Sequence, residues 1–399
     1  MILQHTGIGI DRIKYTGFSV NKEVFDAALN LFGFQWCSGG GSGCCFWVGC
    51  SRPFKGNYTL VMSYFQTQKN LHMFSVRLLR GTTQLARFEL CRTPINTCHA
   101  GYEIHPTHLL RGELKDFDAF IVSVLGPGYS YRSFFEHGKV NAVEWFTDLL
   151  NIPPDSFLIH SSGARKSAMY QGPDAITVDP ATVDYSDPDD ADLIELIEQH
   201  NITKPTTIPR APGYRTTQYS GSRPNNQFKS YDKKTQLLDT NRPDLYSHHP
   251  YRTRLEVTLR KTGLTPCNLA SSANPFLKKL VPDLSKAAAI KDRKFTWFIK
   301  SAQIKGIAAA IQGQKTDPRR KRMRELLSKC QADWFNPESL WSGRDKALKV
   351  IEPDWLLTTP PPKMFTPVVP EPLATTEDVQ ASLALFKAIA AMQEMGVAA

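Results

Sequence analysis

Hydrophobic and polar residues alternate most regularly in "YRTRLEVTLRK" (251–261). Extended, this segment places Leu255, Val257 and Leu259 on one face and Arg254, Glu256, Thr258 and Arg260 on the other, because strand side chains alternate with a period of two. The same period sets Val143 and Trp145 opposite Ala142, Glu144 and Phe146 in "VNAVEWFTDLL" (140–150), with Asp148 on the Glu144 face if the strand reaches it. Between these two strands, "TTQY" and "QFKSYDKK" flank "SGSRPNN". The Gly, Pro and Asn are turn formers, so a hairpin is predicted. With Ser222–Asn226 as its loop, Tyr219 faces Lys229 and Thr217 faces Tyr231, and such cross-strand neighbours lie about 5 Å apart. Nearer the start, "GIDRIKYTGFSV" and "HMFSVRLLR" also read as strands, and "NKEVFDAALNLFG" reads as a helix capped by Asn21.

From about Asn274 the pattern turns helical, through "RKFTWFIKSAQIKGIAAAIQ" and "RRKRMRELLSK". "SDPDDADLIELIEQHN" opens as a helix inside an acidic insertion at about 171–212. "TTPPPKMFTPVVPEP" is a stiff linker before a last helix, for which Thr375 and Asp378 form a capping box. The fold class predicted is α+β: an antiparallel sheet with packed helices, followed by a basic helical C-terminal region. Along the chain this gives an α+β region at 1–135, a β-rich region at 136–275, a basic helical region at 276–358, and linker plus terminal helix at 359–399.

The chain has 399 residues, 41% hydrophobic and 22% charged, an ordinary globular mix with room for two or three domains. Its net charge of +10 points to an anionic partner. Lys286–Lys329 holds thirteen Lys/Arg against three Asp/Glu, so this one stretch carries as much net charge as the whole. Within it, Arg319, Arg320, Lys321, Arg322 and Arg324 lie in under two helical turns and repel one another unless an anion is present. Trp297 and Phe298 read as helix core, with stacking on an unpaired base as the alternative.

Eight cysteines are present, but "CSGGGSGCCFWVGC" lacks the paired spacing of a structural zinc site. They read as buried or turn thiols. "GGGSG" (39–43) has no GK[ST] after it and reads as a loop, as do the adjacent His248 and His249. "MILQHTGIGIDRIK" has no basic segment followed by an apolar one, and no apolar run approaches the roughly 18 residues a membrane span needs. The expectation is a cytosolic protein with no membrane partner.

Two readings of the hairpin compete. Tyrosine and lysine are common in exposed hairpins, and a glutamate between arginines is commonly a surface ion-pair ladder. Alternatively, Lys229 and Arg223 near Tyr219 favour the phenolate. Glu256, Glu144 and Asp148 would then offer hard oxygen ligands to Mg²⁺ or Mn²⁺ while Arg254 and Arg260 hold phosphates.

The order "TTQYSGSRPNNQFKSYDKKTQL", a short gap, then "RTRLEVTLR" resembles the replication initiation factor family of phages and rolling-circle plasmids. Tyr219, Gly221, Ser222, Arg223, Tyr231, Asp232, Lys233, Arg254, Glu256 and Arg260 match that family's pattern, and "VEWFTDL" resembles its acidic strand. The likeness covers about residues 135–262. Pro224 stands where the family usually has a polar residue. The resemblance implies a site-specific DNA nickase in which a tyrosine attacks a phosphodiester, primes synthesis with the 3′-hydroxyl and stays joined to the 5′-phosphate. It implies Tyr219 as nucleophile with Tyr231 second, and Glu144 and Glu256 as metal ligands, joined by Asp148 or Asp232. Lys229, Lys233, Arg223 and Arg254 would hold phosphates or stabilise transition-state charge. Expected partners are an origin with an inverted repeat, a host helicase and a second copy of the chain, in the cytoplasm of a bacterial host cell. A mobilisation relaxase shares this chemistry. The reading from another class is a DNA-binding initiator or regulator that does not cut.

Overall fold

The computed structural model describes residues 5–20, 46–66, 72–92, 98–170, 175–178, 180–181, 197, 203–209, 217–221, 226–234, 236 and 251–358. The chain forms two compact units interleaved along the sequence. The first comprises Met1–Asp11, Ala142–Lys261 and Ala270–Ala347; the second comprises Arg12–Asn141, Thr262–Leu269 and Leu348–Ala399. The class is α+β, an open antiparallel sheet with helices and a helical C-terminal region.

In the second unit the sheet order is β2 (Phe46–Phe54), β3 (Tyr58–Gln66), β4 (His72–Arg80), β5 (Thr83–Arg92), β6 (Cys98–Ile104) and then β1 (His5–Val20). Helices α1 (Lys115–Leu125) and α2 (Tyr131–His137) belong to this unit. Phe88, Tyr102, Phe117, Tyr131 and Phe134 make its aromatic core, with rings meeting edge to face. Such contacts place the positive edge of one ring on the negative face of the next.

The first unit takes the start of β1, up to Asp11, and sets it beside β7 (Lys139–Leu150). Then follow β14 (Arg252–Arg260), β13 (Gln227–Asp232), β12 (Thr217–Ser220) and β9 (Ser167–Tyr170). Short strands β8 (His160–Ser161) and β15 (Lys279–Leu280) pair with each other, as do β10 (Ala175–Val178) and β11 (Thr206–Pro209). The hairpin register is the one read from the sequence: Tyr219 opposes Lys229. Gly221 makes it possible. Its φ is 108° and a Cβ there would lie 2.5 Å from the Asn226 carbonyl oxygen, so any side chain would be both strained and obstructed.

Alternation along β14 separates two faces. Val257, Leu255, Phe228, Val143 and Trp145 are buried on one of them, where Trp341 meets Trp145 at 4.9 Å between ring centroids and Phe335 packs near Phe228. The helices of this unit are α3 (Leu284–Ala289), α4 (Arg293–Lys305), α5 (Ile307–Gln312), α6 (Asp317–Lys329), α7 (Pro337–Trp341) and, as far as Ala347, α8 (Arg344–Lys349). A further helix, α9 (Pro353–Leu357), belongs to the second unit. Asp292 caps α4, accepting from the N–H groups of Lys294 and Phe295 and so satisfying otherwise orphaned donors.

Phe295, Phe298, Ile299, Ala302, Ile307, Met323 and Leu327 form one core with Leu158, and Met169 of β9 packs against it. The basic helices expected as a region of their own therefore share a unit and a core with the sheet. Gly306 lets α4 turn into α5 close against β9; a Cβ there would lie 2.5 Å from Ser167 Oγ. The helix expected over 21–33, the loop at 39–43, most of the acidic insertion, His248 and His249, and the linker and terminal helix from 359 lie outside the described residues. Among the described residues no helix is long and apolar enough to cross a membrane.

Candidate active site

The second face of the first unit's sheet is charged. In register, Tyr219, Lys229, Glu256 and Phe146 stand side by side across β12, β13, β14 and β7. Two residues along, Tyr231, Arg254 and Asp148 form the next row. In the other direction Gln227, Thr258 and Glu144 form a third. A period of two puts all three rows on one face, so four strands bring tyrosines, cations and carboxylates together.

Unlike an exposed ladder, this face is buried. Glu256 is 0% exposed, Asp148 1%, Arg254 2% and Glu144 5%. Burying a charge is tolerated only when it is paired, and the pairing is dense. Arg254 Nε donates to Asp148 Oδ1 at 2.7 Å and its Nη2 to Asp148 Oδ2 at 3.0 Å. Its third nitrogen, Nη1, reaches Asp11 Oδ1 at 2.5 Å. Arg252 adds Nε and Nη2 bonds to Asp148 Oδ2, at 2.9 and 2.6 Å. The Arg254 guanidinium also stacks over the Phe146 ring, 3.7 Å from its centroid. The ring's other neighbour is Gly9, where a Cβ would lie 2.5 Å from Phe146 Cε1.

Beside this pair of arginines three carboxylates converge. Asp11, Glu144 and Glu256 each present a carboxylate oxygen, all within 4.8 Å of one another. Lys229 Nζ lies 2.6 Å from Glu256 Oε1, and the Tyr231 hydroxyl donates to Glu256 Oε2 at 3.2 Å. Burial, opposed by Lys229 but reinforced by Glu144 and Asp11, pushes the Glu256 carboxyl up to about 7. For Asp148, burial works in the same direction, but Arg254 and Arg252 outweigh it and hold its carboxyl below the usual range. Tyr231 is held well above an ordinary phenol by burial first and the Glu256 charge second. Lys229 and Lys233 flank its ring, at 5.7 and 5.8 Å from the centroid.

The candidates from the sequence divide accordingly. Tyr219, Tyr231, Lys229, Glu144 and Glu256 share the face. Asp148 was expected as a metal ligand, but both its oxygens are taken by arginines. Asp232 alternates to the opposite face with Phe228 and Ser230, away from Glu256. Arg254 was expected on phosphate; it is instead buried and committed to Asp11 and Asp148. Lys233 is also buried, donates to Gln236 at 2.9 Å, and is pulled down to about 8 by burial and by Arg254. Arg260 is partly exposed at the end of β14, and Arg223 lies outside the described residues. Arg319, Arg320, Lys321, Arg322 and Arg324 sit on α6, all but the half-buried Arg320 exposed.

Asp11 was missed. It is the sole acidic residue in β1, which is the one signal the sequence offered. Three carboxylates within 4.8 Å of one another fit a hard divalent cation such as Mg²⁺ or Mn²⁺, and Glu144 and Asp11 add to the burial that raises the Glu256 carboxyl. Neither family models nor curated proteins match the chain.

Proposed function

We propose that this chain is a tyrosine-dependent DNA nickase that starts rolling-circle replication of a phage or plasmid. One observation supports it above the others: Asp11, Glu144 and Glu256 converge within 4.8 Å on the same sheet face that carries Tyr219, Lys229 and Tyr231. The hairpin motif's resemblance to replication initiation factors supplies the reaction.

In this reading Tyr219 is the nucleophile, because it is half-exposed while Tyr231 is buried against Glu256. Its phenol gives up a proton to water and its oxygen bonds to phosphorus. The bond from phosphorus to the 3′-oxygen breaks, and that oxygen takes up a proton to become the 3′-hydroxyl primer. Lys229, directly across from Tyr219, favours the developing phenolate. Tyr231 acts through Glu256, holding its carboxylate in place. A divalent cation bound by Asp11, Glu144 and Glu256 would polarise the scissile phosphate.

Supercoiled DNA carrying the sequence that flanks the chain's own gene, incubated with Mn²⁺, provides the test. The expected product is a nicked circle with protein joined to the 5′ end, lost in Tyr219→Phe. The burial of Glu256 and the full pairing of Asp148 favour a second reading, a charged core that only holds a DNA-binding protein together. Specific binding to the same DNA with no covalent product from wild type would establish that reading instead.

A further inference from the structure

Helix α4 has two faces. Phe295, Phe298, Ile299 and Ala302 are buried in the core it shares with α5 and α6. At about 100° per residue, Arg293, Trp297, Lys300 and Ile304 fall within about 60° of one another on the opposite side. Trp297 is 64% exposed and Ile304 76%, which departs from the expectation that Trp297 lies in the core. Lys300 Nζ sits 5.6 Å from the Trp297 ring centroid, so a cation is held beside one face of the indole. Arg322 of α6 pairs with Asp292, the cap of α4, at 2.6 Å. That bond sets Arg322, and the exposed Arg319 one turn before it, next to the first turn of the stripe.

We propose that this α4–α6 surface binds single-stranded DNA, with an unpaired base stacked on Trp297 and phosphates held by Arg293, Lys300 and Arg319. The charge selects the partner: Lys286–Lys329 carries thirteen basic residues against three acidic ones, which suits a polyanion and repels a basic protein. The exposed indole selects the strand. Bases in a duplex are already stacked and cannot lie on it, whereas a free base can, whatever its sequence. The proposal takes DNA as the partner from the preceding reading but does not depend on any cleavage.

The test is fluorescence anisotropy of the full chain with labelled dT20 and with a 20-base-pair duplex, in EDTA, so that nicking contributes nothing and its failure stays separate. Trp297→Ala is expected to weaken dT20 binding roughly ten-fold or more while moving the duplex little. Trp297→Phe should restore most of the affinity. Replacing Arg293 and Arg319 with alanine should lower the dT20 salt slope by about 0.7 for each phosphate no longer neutralised. An exposed side chain carries no fold, so unchanged thermal melting of Trp297→Ala serves as the control. Wild-type-like dT20 binding by Trp297→Ala, or an equal loss on the duplex, would overturn the proposal. So would failure of the wild type to bind dT20 at low salt.

Discussion

Glu256 and His160 make opposite demands on pH, and the first unit should show both. Glu256 is raised from 4.5 to about 7 by burial, with Lys229 opposing and Glu144 and Asp11 reinforcing. The folded state therefore binds its proton more tightly than the unfolded chain does. Its contribution is fully present below about 4.5 and lost as pH climbs through about 7, a difference of roughly 3 kcal/mol. His160 is buried and lowered from 6.5 to about 4, by burial first and then by Arg324 and Lys279. Its contribution is present above 6.5 and lost as pH falls toward 4, again roughly 3 kcal/mol. In the wild type the two offset each other between pH 4.5 and 7. Glu256→Gln should uncover a rise in stability with pH over that window, and His160→Gln a fall. For a unit of about 200 residues each amounts to roughly 6–12 °C in Tm. The assay is a set of thermal melts at constant ionic strength and in EDTA, read as the difference between variant and wild type. Asp118, raised to about 6 mainly by burial, is common to all three proteins and cancels. A wild-type-minus-Glu256→Gln difference that is flat from pH 4.5 to 7.5 would refute the reasoning that burial, reinforced by Glu144 and Asp11, holds the Glu256 proton.

Asp148→Asn should cost about 3–5 kcal/mol in a urea melt, since it removes the negative charge that two arginines share through its oxygens; a loss under 1 kcal/mol would mean the fork is dispensable. Gly9→Ala should cost about 1–3 kcal/mol, because the new methyl displaces the Phe146 ring beneath Arg254, and a melt matching wild type would contradict that packing. Mn²⁺ should raise the wild-type Tm more at pH 7.5 than at pH 5, since the cation competes with the Glu256 proton. Glu144→Gln should abolish most of that gain; equal stabilisation at both pH values would place any bound cation elsewhere.

Much of the scaffold was legible because short-range rules govern it. The alternation of Arg254, Glu256 and Thr258 against Leu255 and Val257 is fixed by strand geometry, and the register Tyr219 to Lys229 follows from where Gly and Asn allow a turn. What escaped the sequence is long-range. Asp11 lies 243 residues before Arg254, and no local pattern links them. The same alternation is satisfied whether the charged face meets water or is buried, so Arg254 and Asp148 read as phosphate and metal ligands when they hold each other. Trp297 and Phe298 are adjacent in sequence, and only the rotation of α4 about its axis decides that Phe298 enters the core and Trp297 does not. The sharing of a core between the sheet and the basic helices rests on Gly306 and Ser167, residues with no compositional signal.

Peptide mapping of the covalent protein–DNA product tests the central claim most directly. Wild-type chain is incubated with Mn²⁺ and supercoiled DNA spanning its own gene and the sequence that flanks it, digested with protease and nuclease, and sequenced by mass spectrometry. The expected result is a nucleotide 5′-phosphate on Tyr219, absent when Glu256 is changed to Gln. A nucleotide on Tyr231, or no modified tyrosine on DNA that the chain demonstrably binds, would contradict it.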